Sequence, residues 1–169
     1  VNEVDHEFYR REIESFLPDR IYDAHTHLWR HDCVGWSVPG APQDVGLEEY
    51  KRLMQDVHGP RPTNALFIPF TTSVELESRQ QANQWVSDHT RVDPSNRGIF
   101  FIHPKDDPEW VRQEVRRLGL HGLKCYHTMS DVDPTWEADI EAFLPEPLIA
   151  VADQEGWVIT LHMVKSRSV

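Results

Sequence analysis

Two rhythms of apolar and polar residues alternate along this chain. Short runs rich in β-branched, aromatic and other apolar residues recur at 20–27, 64–70, 98–103, 121–127 and 156–163, and they read as strands. Between them the apolar residues are spaced for one helical face. Residues 47–57 carry Leu47, Tyr50, Leu53, Met54 and Val57, and residues 73–89 turn Trp85 and Val86 inward. A helix opening at Asp107-Pro108 sets Val111, Val115 and Leu118 at i, i+4 and i+7. Residues 134–155 are helical but interrupted by Pro145 and Pro147, which predicts two helices, the second closed by Gly156. An amphipathic helix is also predicted over 3–16, with Phe8, Ile13 and Phe16 as its stripe and Pro18 as its stop. Residues 28–46 hold Trp29, His31 and Trp36 among Gly and Pro. They read either as a lid or specificity loop or as an irregular cover packed by the tryptophans.

Strands apolar on both faces and alternating with helices predict parallel strands buried between helical layers. A doubly wound sheet and a (β/α) barrel both satisfy this pattern. No Gly-rich phosphate loop follows the first strand, and polar residues collect at the strand ends, which favours the barrel. The expected fold class is therefore α/β, a TIM (β/α)8-type barrel of which about the first five strands are present. Residues 1–19 are a helical extension and 20–169 the N-terminal portion of the barrel.

Chemistry in such a fold sits at the C-terminal ends of the strands. On the first strand, period-two alternation puts Asp23, His25 and His27 on one face. His-x-His alone is a cheap pattern in a chain with ten histidines. Its context gives it weight: an acidic residue two positions earlier, a strand beneath it, and His162 closing an inward row of Val158 and Thr160 on the fifth strand. His25, His27 and His162 would give three nitrogen ligands with an open fourth position, the catalytic type of zinc site. Lys124 and Tyr126 share a face of the fourth strand, and His103 ends the third. His121 and His127 fall beside the inward face of strand four and are not assigned; His6, His31, His58 and His89 read as surface residues.

The run Asp23-Ala-His-Thr-His27 resembles the signature of the metal-dependent amidohydrolase superfamily. Gly119-Leu-His-Gly-Leu-Lys-Cys-Tyr126 and Gly156-Trp-Val-Ile-Thr-Leu-His-Met163 are similar to the fourth and fifth strands of its amidohydrolase 2 branch. TatD-type nucleases open similarly but are expected to carry a Glu ligand that strand four here lacks. The resemblance implies a divalent metal, Zn²⁺ first and Mn²⁺ or Fe²⁺ as alternatives, held by His25, His27 and His162. It also implies a proton-transferring Asp on an eighth strand, outside this chain. Lys124 then either bridges two metals after carboxylation or binds a substrate carboxylate. Asp23 braces a ligand, and His103 either binds substrate or is a satisfied core residue.

The implied activity is hydrolysis of an amide, ester or lactone bond of a small organic acid by a metal-activated water. Non-oxidative decarboxylation by the same superfamily, a carbon–carbon lyase reaction, is the alternative, and a non-catalytic or inactive barrel fragment is the third reading. Five strands leave an edge for the remainder of the same protein, or a second polypeptide, to complete; the 169-residue piece alone is expected to be inactive. A homo-oligomer also fits. The net charge of −11 argues against nucleic acid and anionic membrane surfaces as partners. Two cysteines without CxxC spacing fit a cytoplasmic protein.

Overall fold

The computed structural model describes residues 2–162 except Trp36 and Val38. The class is α/β, as the alternation predicts. The main elements run α1 (Glu3–Phe8), β1 (Ile21–Leu28), α2 (His31–Val34), α3 (Leu47–His58), β2 (Thr63–Pro69), α4 (Leu76–Val92), β3 (Arg97–Gly98), β4 (Phe100–Phe101), α5 (Pro108–Leu118), β5 (Gly122–Tyr126), α6 (Ile140–Phe143), α7 (Glu146–Glu155) and β6 (Val158–His162). The strands form two parallel three-stranded sheets, β1-β2-β3 and β4-β5-β6, and among the described residues no barrel closes. The expected single arc of strands is thus interrupted, because the third strand breaks at Ile99. The sheets still touch through backbone there: Ile99 N–H donates to the Phe67 carbonyl at 3.0 Å, and His121 N–H to that of Gly98 at 2.8 Å.

Both sheets share one sidedness. Ala65, Phe67, Phe100, Leu123 and Cys125 are buried beneath the helices, where they join Val86 of α4 and Val111, Val115 and Leu118 of α5 in the main core. The i, i+4, i+7 stripe on α5 is fully buried, Asp107 accepts the Trp110 N–H, and Pro108 occupies the first turn. Gly156 ends α7 at φ 67°, a left-handed conformation that favours glycine, and Pro145 separates α6 from α7. The opposite face carries a smaller cluster of Phe101, Tyr126 and Met129, with Phe70 packed against it. Gly122 lets β6 approach β5: a Cβ there would lie 2.3 Å from the Val158 carbonyl oxygen.

Three segments depart from the sequence pattern. The N-terminal helix is α-helical only to Phe8 and continues as a π turn (Tyr9–Ile13) and a 3-10 turn (Glu14–Phe16). Phe8 and Phe16 of its stripe remain 51% and 83% exposed. The described part of residues 28–46 is fastened down at both ends, as a cover rather than a free loop. Trp29 and Val45 pair as an antiparallel bridge, and Thr71 and Thr72 donate to the Cys33 and Val34 carbonyls at 2.8 and 2.9 Å. His58 and His89 are not surface residues. His58 is buried against Thr63, and half-buried His89 stacks edge-on to Trp85 at 4.3 Å. Helices polar along most of their length gave no sign of either.

Candidate metal and substrate site

The candidate site is built on the face that the smaller cluster occupies, and β1 contributes first. Its register against β2 slips between Asp23 and Thr26: Asp23 pairs with Ala65 and Thr26 with Phe67, so β1 carries one extra residue. This bulge breaks the period-two alternation. Asp23 therefore does not share a face with His27, contrary to the expectation from spacing. It falls in phase with Ala65 and Phe67 on the helix side, where its Oδ2 accepts from the Tyr50 hydroxyl at 3.3 Å. Its Oδ1 accepts the His25 N–H at 3.0 Å, so Asp23 braces the backbone of a candidate ligand rather than its ring. His25 and His27 remain together, with ring centroids 5.4 Å apart.

His27 is the more buried of the two. Its burial, reinforced by Lys124, His25 and His162 and weakly opposed by the Ile68 backbone, lowers its pKa to about 4. The ring is neutral at pH 7, the form that binds metal, and its Nδ1 is buried without a hydrogen-bond partner. His25 and His162, both exposed, are lowered too, first by burial and then by Lys124. His162 ends β6 opposite Tyr126, with ring centroids 5.0 Å apart. The mutual influence of His25, His27 and His162 places them in one neighbourhood, yet among the described residues no group of three His, Cys, Asp or Glu side chains is arranged to hold a metal ion.

Lys124 is 1% exposed, and its Nζ lies 4.9 Å from the Tyr126 ring centroid. Burial draws its pKa below that of an ordinary lysine. His103 lies past the strand end in a turn rather than at an inward strand terminus. Its N–H donates to Asp106 at 2.7 Å, its Nδ1 accepts from the Lys105 N–H, and burial lowers its pKa.

Two groups outside the expected set of site residues join this face. His127 leaves β5 in a 3-10 turn, comes within 5.3 Å of the His162 ring centroid and pairs its Nδ1 with the Thr135 hydroxyl at 3.2 Å. Tyr126 buries its hydroxyl without a partner. Alternation put Tyr126 on the Lys124 face, so that signal was present; the turn that brings in His127 left none.

The chain matches no known family model, no curated protein and no solved structure. The site's geometry therefore stands alone as the ground for a functional reading.

Proposed function

We propose that the protein is a metal-dependent hydrolase acting on an amide, ester or lactone bond of a small organic acid. We further propose that its strands are an arc of a (β/α)8 barrel completed by further polypeptide. The observation that carries the reading is the pair His25 and His27 at a strand end. Its inner member is held neutral, with a buried, unpartnered Nδ1, beside His162 and Lys124. The three imidazoles are donors of the kind a divalent ion such as Zn²⁺ takes, and His25, His27 and His162 are the residues that would hold it once drawn closer together than they stand here. When bound, such an ion supplies Lewis acidity toward a scissile carbonyl.

This chain's own residues do the remainder. Asp23 fixes the His25 backbone inside the bulge. Burial keeps His27 unprotonated, so no proton competes for its free nitrogen at neutral pH. Lys124 offers a positive group to an anionic substrate. The proton-transfer base is assigned to no residue of this chain.

The barrel reading is supported by strand order. All paired strands are parallel and follow one another in sequence order without the reversal of a doubly wound sheet. Among the described residues β1 pairs only with β2 and β6 only with β5, and Tyr22 and Val158 on these outer strands are 53% and 51% exposed. Among the described residues no helix is long and apolar enough to cross a membrane. The buried free thiols of Cys33 and Cys125, raised by burial to about 11 and about 12, suit a reducing cytoplasm.

The test is zinc titration followed by hydrolysis of a panel of amides, esters and lactones. Stoichiometric zinc, lost in His27→Ala and His162→Ala, with chelator-sensitive turnover once the barrel is complete, is the expected result. Absence of micromolar zinc binding in that complete protein would sink the reading.

A further inference from the structure

Lys124 and Tyr126 stand two residues apart on one face of β5, 1% and 6% exposed. The Tyr126 hydroxyl is buried without a hydrogen-bond partner, and Lys124 has no hydrogen bond or ion pair among the described residues, only the Tyr126 ring beneath its Nζ. Buried polar groups left this way are rare and destabilising, and a charged one especially so. Asp23, Asp106 and Asp131 are engaged with other partners: Tyr50, Arg79 and Lys105.

We propose that Lys124 and Tyr126 form a clamp for the carboxylate of a small ligand whose apolar body lies against Phe101, Phe70 and Met129. The proposal rests on reading this face as the substrate side of the enzyme. Lys124 can only donate and the Tyr126 hydroxyl can donate, so one acceptor group serves both, and a carboxylate has two oxygens to take a hydrogen bond from each. The aromatic and thioether cluster around the Tyr126 ring gives the rest of the ligand an apolar surface. The ligand enters past His25 and His162, which are exposed.

Calorimetric titration of the chain with benzoate, in EDTA at neutral pH, tests this without any metal. Benzoate binds with one site, its uncharged analogue benzamide binds at least about tenfold more weakly, Tyr126→Phe weakens benzoate about tenfold, and Lys124→Met abolishes it. Without benzoate, both variants melt above the parent, because each removes an unsatisfied buried group. No benzoate binding, unchanged binding by the two variants, or two variants melting below the parent would each overturn the clamp. Zinc binding is measured on separate samples. Lost zinc with retained benzoate defeats the hydrolase reading alone, and retained zinc without benzoate defeats the clamp alone.

Discussion

The two faces of the same strands treat buried polar groups in opposite ways. On the helix-covered side most such groups have an answer, and the exceptions are single ring nitrogens: His58 Nδ1 and His89 Nε2 are buried without a partner, while the other nitrogen of each ring is hydrogen-bonded. Asn83 of α4 donates to the Phe101 carbonyl at 3.1 Å and accepts its N–H at 2.7 Å, replacing the pairing lost where the third strand breaks. Ser87 donates to the Leu118 carbonyl at 2.7 Å, Asn96 accepts the Ala65 N–H at 2.8 Å, and Arg79 grips Asp106 with two bonds of 2.7 and 2.9 Å. On the opposite side His27 Nδ1 and the Tyr126 hydroxyl are buried without partners, and Lys124 is buried without a counter-charge among the described residues. Satisfied groups hold a fold; the cluster of a histidine nitrogen, a phenol and an amine on one face marks where a ligand is meant to be.

The largest effect should come from breaking the satisfied side at its charged pair. Arg79 and Asp106 are 5% and 8% exposed, and Asp106 also takes the His103 N–H. Arg79→Met leaves a buried carboxylate unpaired, which should remove about 3–5 kcal/mol in chemical denaturation. A loss within the noise would mean that Asp106 is solvated and the pair is no anchor. Asn83→Ala comes next. It strands the N–H and the carbonyl of Phe101 together and should cost about 2–3 kcal/mol, measured the same way. If Asn83→Ala is nearly neutral, the strand break is repaired by something other than this amide.

On the other face the sign should reverse. Lys124→Met replaces an uncompensated buried amine by an apolar chain of similar length, and should raise stability by about 1 kcal/mol. A destabilised Lys124→Met would dissolve the contrast between the faces, since it would mean that Lys124 is already satisfied.

Much of this contrast was legible in the chain. The apolar runs that became β2 and β5 and the α5 stripe at Val111, Val115 and Leu118 needed only period and propensity. Lys124 and Tyr126 sharing a face followed from alternation alone. What escaped depended on backbone events that side-chain pattern does not encode. One extra residue between Asp23 and Thr26 turned Asp23 toward Tyr50, and nothing in Asp-Ala-His-Thr-His announces a bulge. The 3-10 turn that swings His127 toward His162 comes with a contact from its ring to Thr135, eight residues on, which the strand pattern does not encode. His58 and His89 escaped because a polar residue on a mostly polar helix looks solvent-facing until the neighbouring segment is known.

His89 supplies the smallest and most specific prediction, on the helix-covered side. Gly46 precedes α3 and has no side-chain oxygen to cap it; instead the Leu47 N–H donates to His89 Nδ1 at 3.3 Å. A Cβ on Gly46 would sit 2.4 Å from the His89 ring, so glycine is what allows the ring to come this close. Burial lowers the His89 pKa, with Asp88 and Glu48 opposing. The unfolded chain then binds a proton more readily than the folded one, so this contribution is complete above the ordinary histidine pKa of about 6.5 and is lost as pH falls below it. The imidazolium has no acceptor nitrogen, so protonation also removes the cap. Between pH 7.5 and 5 the parent should lose about 0.5–1 kcal/mol more than His89→Phe, which keeps a ring against Trp85 but cannot titrate. Urea denaturation of both proteins at several pH values measures the difference in slope. Parallel slopes would show that His89 Nδ1 is no cap, which would leave neither ring nitrogen of this histidine with a partner.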